Sequence, residues 1–392
     1  MKKKVLFRGP ALTQSGYGVH SRQVISWLLS RDDIELYIQV LPWGGTPWYT
    51  NPSALNGLIG QIMERTKPFN SKFDVTFQLQ LPNEWDPKLG EINIGITAGV
   101  ETDMCNPQWA EACGAMTTIV VPSEHTKRSL TSNQTILTPI LVIPEAFPDS
   151  VFNARNNNLS LDLGVKTSFN FLMFGQLTGN NQLNDRKNTF LTLKWLFEAF
   201  KDDEDVGIIL KTNAGTNSKI DRNNVTDIIR SVINETRQSA FPKVYLLHGD
   251  MSDDEVSQLY RRNDVKALVT LTRGEGFGLP ILEAAASDLP VIATSWSAHT
   301  EFLNKGKYIP VYYTLENVHE SRIDNKIFMK GSRWANASES DFKKKVTKFR
   351  NSSTIPKEWA IELGSKIRDE YSLEKISKLY ENTFNQILKA NV

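Results

Sequence analysis

Residues 273–303 read RGEGFGLPILEAAASDLPVIATSWSAHTEFL. The stretch follows an apolar run, Ala267–Leu271, that reads as a buried strand. Gly274, Gly276 and Gly278 allow the backbone to come close to a ligand. Pro280 suits the first helical residue, where a missing N–H costs nothing. The amides and dipole of that helix end would then face the glycine loop, an arrangement suited to phosphate or another anion. Glu283 is expected in the first turn, placed to accept hydrogen bonds from sugar hydroxyls, and Glu275 lies in the loop eight residues earlier. A glycine turn alone would be an ordinary cap with solvated glutamates. Here the loop, the proline, both glutamates and the following strand Val291–Thr294 agree on a ligand-binding reading.

Outward from this stretch, short apolar runs alternate with helical patterns. The spacing predicts strands at Lys4–Phe7, Ile34–Val40, Val75–Gln80, Ile92–Thr97, Thr118–Val121 and Ile140–Ile143. Helices are expected at Val19–Ser30, Gln108–Gly114 and Ser123–Leu130, the last opening at a serine cap. Pro144–Ser168 breaks the pattern and reads as a connection. The alternation restarts with strands at Asn170–Phe174, Val206–Lys211 and Val244–Leu247, and helices at Thr189–Phe200, Val225–Thr236 and Asp253–Arg261. An amphipathic helix, Ser372–Leu388, closes the chain with Ile376, Leu379, Phe384 and Leu388 apolar. Such alternation predicts two Rossmann-like α/β domains, residues 1–150 and 165–371, facing each other across a cleft.

Composition bounds the function. The 392 residues hold 45 Lys+Arg and 44 Asp+Glu, with 40% hydrophobic and 23% charged. Residues 1–150 carry 12 basic and 14 acidic side chains, and the remainder carries 33 and 30. Neither half announces docking on nucleic acid or anionic lipid through a broad basic surface. Two cysteines, Cys105 and Cys113, make neither a disulfide framework nor a structural zinc site, and suit a reducing compartment. No run approaches the roughly 20 apolar residues of a membrane span. A cytoplasmic location is therefore expected.

The pattern of Glu275 and Glu283 within EGFGLPILEA resembles the signature of retaining nucleotide-sugar glycosyltransferases of the GT-B fold, family 4 (group 1). Leu289–Thr294 and the Val244–Asp264 segment, with Gly249–Asp250, are similar too. The resemblance implies a C-terminal helix, residues 372–392, returning to the first domain. It implies that Glu283 binds the donor ribose and that Glu275 lies near the donor sugar or its phosphate. Amides of Gly276, Phe277, Gly278 and Leu279 would contact the diphosphate or the sugar. Arg273–Gly274 stands where the family shows a small residue, which would alter donor selectivity. The donor is expected to be a UDP-sugar, with no cofactor and no metal required.

Other segments extend the resemblance. After the strand Asn170–Phe174, Gln176 stands where the family has arginine, and Arg186–Lys187 follow a polar loop. Lys187 fits the phosphate-binding lysine, with Arg186 supplying the charge that Gln176 lacks. These cations would stabilise the departing diphosphate. Lys211 and Gly249 are further donor-side candidates. Ser15–Gly16–Tyr17–Gly18 resembles the glycine loop that closes over donor phosphates and acceptor, and His20 would face the cleft. Glu101 and Thr102, at the end of a strand, are candidates to orient an acceptor hydroxyl. Trp43 and Trp48, in a Gly/Pro loop, would form an acceptor wall by stacking.

The resemblance implies front-side attack by the acceptor, assisted by the leaving phosphate. The acceptor class stays open between glycan, lipid and a modified DNA base. SGYG and GVETD resemble virus-encoded members, so a glycosyltransferase acting on hydroxymethylated DNA bases is one alternative. A sugar-nucleotide epimerase or hydrolase is another. A non-catalytic sugar-nucleotide-binding protein is a third.

Overall fold

The computed structural model describes residues 2–68, 71–149, 161–175, 182–213, 215 and 217–389. In chain order the first elements are β1 (Lys3–Gly9), α1 (Gly16–Leu29), β2 (Ile34–Val40), α2 (Leu58–Arg65), β3 (Phe73–Leu79) and β4 (Gly90–Ile96). They continue with α3 (Trp109–Gly114), β5 (Thr118–Val121), α4 (Glu124–Thr131) and β6 (Ile140–Val142). Then come β7 (Phe169–Gly175), α5 (Thr189–Ala199), β8 (Val206–Thr212), α6 (Lys219–Thr236), β9 (Lys243–His248) and α7 (Asp253–Arg261). Next are β10 (Val265–Thr270), α8 (Leu279–Ala286), β11 (Val291–Thr294), α9 (His299–Leu303), β12 (Ile309–Val311), β13 (Tyr313–Asn317) and β14 (Arg333–Ala337). Three helices end the chain: α10 (Glu339–Asn351), α11 (Thr354–Glu370) and α12 (Leu373–Leu388).

The chain divides into two compact units, Met1–Ala146 with Leu373–Val392, and Phe147–Ser372. The first holds a six-stranded sheet in the order β2-β1-β3-β4-β5-β6. All its pairings are parallel. Parallel sheets carry helices on both faces, which is why the strands are near-continuous apolar runs. Val5, Phe7, Val75, Phe77, Ile94 and Ile96 are buried in its core. The core is completed by α1 and α12. The Trp27 ring lies 5.2 Å from Tyr380 and 5.5 Å from Phe77. On α12, Ile376, Tyr380, Phe384 and Leu388 are buried, at a spacing of four that makes one stripe. Leu379, expected on that stripe, is instead 42% exposed. Tyr380 takes the buried place, because a stripe stepping by four passes through residue 380.

The start of α1 also differs from expectation. SGYG is not a loop before the helix but its cap and first turn. Ser15 Oγ accepts the Gly18 N–H at 3.0 Å, which draws the helix start back to Gly16. A Cβ on Gly18 would lie 2.1 Å from the Thr13 carbonyl oxygen, so only glycine allows this approach. Ser123 caps α4 as expected, accepting from the Thr126 N–H.

The second unit holds another parallel six-stranded sheet, ordered β12-β11-β10-β7-β8-β9. β7 and β10 are its central neighbours. Phe171, Met173, Ile208, Leu210, Ala267 and Val269 pack in its core with Leu193 and Phe197 of α5. An antiparallel ribbon of β13 and β14 lies outside this sheet and carries Trp334. Strict α/β alternation in the sequence did not predict that ribbon.

Candidate active site

Within the second sheet, β7 leads to β8 on one side and β10 leads to β11 on the other. Connections therefore diverge from adjacent strands, leaving a crevice at their carboxyl ends, the position where ligands bind in open α/β sheets. The loop after β10 enters α8 there, and the chain after β7 enters α5. Gln176 lies outside the described residues. The cations expected with it, Arg186 and Lys187, immediately precede α5.

Three expected residues converge at this point. Lys187 Nζ donates to Glu275 Oε1 at 2.6 Å, and Arg186 Nη1 lies 3.6 Å from Glu275 Oε2. Arg186 also donates to the Gly274 carbonyl at 3.0 Å. Burial by itself would raise the Glu275 carboxyl, but Lys187 and then Arg186 outweigh it and hold it down at about 2. Asp185 sets this geometry. Its carboxylate is buried and accepts the N–H groups of Lys187 at 3.1 Å and Thr189 at 2.6 Å, capping the start of α5.

Arg273, expected to alter donor selectivity, is held within the fold. It is almost fully buried and donates to the backbone oxygens of Asp185 and Gln182 and to Asn336 Oδ1. Its guanidinium also lies over the Trp334 ring, 5.4 Å from the centroid. It pins the 182–186 segment against β14.

Gly278 has φ +101°, a conformation glycine adopts without strain, and it ends the loop at the N-terminus of α8. The helix begins at Leu279, so Pro280 is its second residue rather than its first, and Glu283 falls in the second turn rather than the first. The Glu283 carboxylate accepts from the Tyr260 hydroxyl at 2.8 Å, and the Tyr260 ring stacks on Phe174 at 5.3 Å. Burial pushes the Glu283 carboxyl up to about 8, the Tyr260 hydrogen bond opposing.

On the other side of β7, Lys211 donates to the Gly249 carbonyl at 2.7 Å and to Asn213 Oδ1. Burial lowers the Lys211 ammonium to about 8, against the opposing charge of Asp250. Gly249 has φ +111°, and no heavy atom lies within 4 Å of where its Cβ would be. Its backbone is therefore open to an approaching group.

Residues 229–318 match the family model described as glycosyl transferases group 1, a span containing Gly249, Glu275 and Glu283 but not Arg186 or Lys187. A glycosyltransferase from Rickettsia africae is 15% identical, covering 100% of each chain with a TM-score of 0.66. Sucrose-phosphate synthase from Thermosynechococcus elongatus is 11% identical over 98% of this chain and 99% of its own, with a TM-score of 0.63. HepE of Anabaena, solved in complex with UDP and glucose, is 12% identical over 98% of this chain and 100% of its own, with a TM-score of 0.61. The fold is GT-B. No curated protein matches the chain. The family match and the fold together support a GT-B glycosyltransferase.

In the first unit of this GT-B chain, not every expected acceptor-side residue is placed to meet a ligand. His20 is buried, with Nε2 3.3 Å from the Tyr380 hydroxyl and Nδ1 3.8 Å from Glu145 Oε1. It therefore points into the core beneath α12, and burial lowers its imidazole to about 3. Thr102 is fully buried, and its hydroxyl donates to the Met104 carbonyl, a turn-forming role. Glu101 is partly exposed beyond the end of β4. Trp43 stacks on Tyr17 at 3.9 Å, and the Tyr17 hydroxyl is 3.2 Å from Thr97 Oγ1. Gly16, in the first turn of α1, has nothing within 4 Å of its would-be Cβ.

Among the described residues, no group of three or more His, Cys, Asp or Glu could hold a metal ion. No described helix is long and apolar enough to cross a membrane. Sequence reasoning missed Asp185, Tyr260, Ser297 and His299 as supports of the site. Asp185 had a legible signal, an acidic residue just before a helix with cations beside it. Tyr260 and Ser297 act through contacts across 22 or more residues, the Tyr260–Glu283 and Glu275–Ser297 bonds, and His299 bonds to Ser297.

Proposed function

We propose that the protein is a retaining glycosyltransferase of family 4 type that moves a sugar from a UDP-sugar to an acceptor hydroxyl. The observation that carries this reading is the convergence of Lys187 and Arg186 on Glu275 at the N-terminus of α8, over the β7/β10 crevice. A departing diphosphate needs positive charge, and these two cations with the helix end supply it. Glu275 pairs with both and keeps both side chains oriented.

In the proposed step the bond from the anomeric carbon to the diphosphate oxygen breaks as the acceptor oxygen attacks from the same face. The acceptor proton passes to the leaving phosphate. Glu275, held ionised by its cations, has no proton to give and accepts a hydrogen bond from the sugar. Its ion pair with Lys187 also makes it a poor covalent nucleophile, which favours the front-side route. Glu283, buttressed by Tyr260, accepts from the ribose hydroxyls.

A panel of nucleotide sugars, read by nucleotide release, tests this reading, with the anomeric configuration of the product determined by NMR. UDP-sugars are expected to turn over with retention. Glu283→Ala is expected to lower turnover at limiting donor about a hundredfold. Full donor binding and turnover by that variant would contradict the assignment.

A further inference from the structure

Behind Glu275 lies a hydrogen-bonded chain that the ion cluster does not use. The Glu275 N–H donates to Ser297 Oγ at 2.9 Å, and Ser297 Oγ lies 3.2 Å from His299 Nδ1. His299 Nε2 lies 2.7 Å from the Thr294 carbonyl oxygen. A carbonyl can only accept, so Nε2 carries the proton and Nδ1 is left as an acceptor. The Ser297 hydroxyl then donates to Nδ1 and keeps its lone pairs for the Glu275 N–H. The direction of every bond is thereby set from one end. Ser297, His299, Thr294 and Glu275 are all buried, so water does not compete with these bonds.

Ser297 also has φ +84°, a region in which an L side chain is strained. Glycine would hold that backbone without strain. The position instead carries a hydroxyl, and the hydroxyl is the link between Glu275 and His299. The next residue, Ala298, donates its N–H to the Glu275 carbonyl at 3.4 Å. The Gly278 end of the loop packs on His299, where a Cβ would come within 3.2 Å of the His299 Cβ.

We propose that Ser297 and His299 form a positioning relay that fixes the Glu275 backbone, and through it the carboxylate that orients Arg186 and Lys187. The inference rests on the reading of this loop as the donor site. Neither residue is catalytic, because each acts through Glu275. Burial lowers the His299 imidazole, with the Thr294 carbonyl and Glu275 opposing, and the charged groups facing it are Glu275 and Lys187.

Ser297→Gly separates positioning from folding. It removes the hydroxyl and the backbone strain together, so the melting temperature is expected to hold or rise. The Glu275 amide is expected to exchange with solvent at least tenfold faster, and kcat with a UDP-sugar to fall about tenfold. Ser297→Ala, which keeps the strain, should lose both kcat and melting temperature. Nitrogen-15 NMR of the histidines should show an Nε2–H tautomer at the resonance that disappears in His299→Asn. Wild-type Glu275 exchange and wild-type turnover in Ser297→Gly would overturn the relay. If the wild-type protein turns over no donor, the functional reading fails instead, and the exchange and tautomer measurements still decide the relay.

Discussion

The buried Glu283 ties the stability of the second unit to pH. Its folded carboxyl titrates near 8, well above a free glutamate, because burial disfavours the charge. A raised folded pKa means that the stability contributed by the bound proton is fully present below about 4.5 and is lost as pH rises through 8. Glu283→Gln cannot ionise and keeps an acceptor for the Tyr260 hydroxyl. The variant is therefore expected to match the wild type near pH 5 and to exceed it by about 2–4 kcal/mol at pH 9. Urea denaturation at several pH values reads this directly. Above pH 8, where the wild-type carboxyl ionises, the same variant should bind UDP more weakly, since the neutral amide is a poorer acceptor for ribose hydroxyls than a carboxylate.

Elements, rather than single residues, bring the cations to the carboxylate. Arg186 and Lys187 reach Glu275 because the segment before α5 is tied to β14 and to the loop after β10. Arg273 makes most of those ties, to Gln182, Asp185 and Asn336. Lysine has one ammonium in place of the planar fork and cannot reproduce three divergent bonds. Arg273→Lys is expected to cost about 2–3 kcal/mol in thermal or urea unfolding. Relative turnover on two UDP-sugars should stay unchanged. A shifted donor preference with wild-type stability would show that Arg273 meets ligand after all.

Across the whole molecule, the chain's end belongs with its beginning. α12 supplies Ile376, Tyr380, Phe384 and Leu388 to the core of the first unit, and Glu381 accepts from Trp27 and Arg31. Each fully buried side chain contributes on the order of 1.5–3 kcal/mol, so losing four rivals the ~5–15 kcal/mol of a whole domain. A chain ending at Ser372 is expected to lose the unfolding transition of the first unit in calorimetry. Limited proteolysis should cut within residues 1–146 while sparing 147–372. Equal protease resistance in both units would refute the dependence on α12.

Two α/β sheets were legible in the sequence because local signals carry them. Buried parallel strands show as apolar runs such as FNFLMF at 169–174, and caps such as Ser123 mark helix starts. The loop RGEGFGLP announced a tight turn into a helix through its glycines and its proline. The β13–β14 ribbon, the inward turn of His20 and the buried Thr102 were not legible. Nor were the partners of Glu275 and Glu283. Lys187 lies 88 residues before Glu275, and they meet only because β7 and β10 are neighbours in the sheet. Local periodicity encodes which residues face inward but not which strands lie side by side. The sequence by itself therefore determined most of the elements and the chemistry on offer. The tertiary structure alone decided which charges are paired, which hydroxyl supports which carboxylate, and which expected site residues are core.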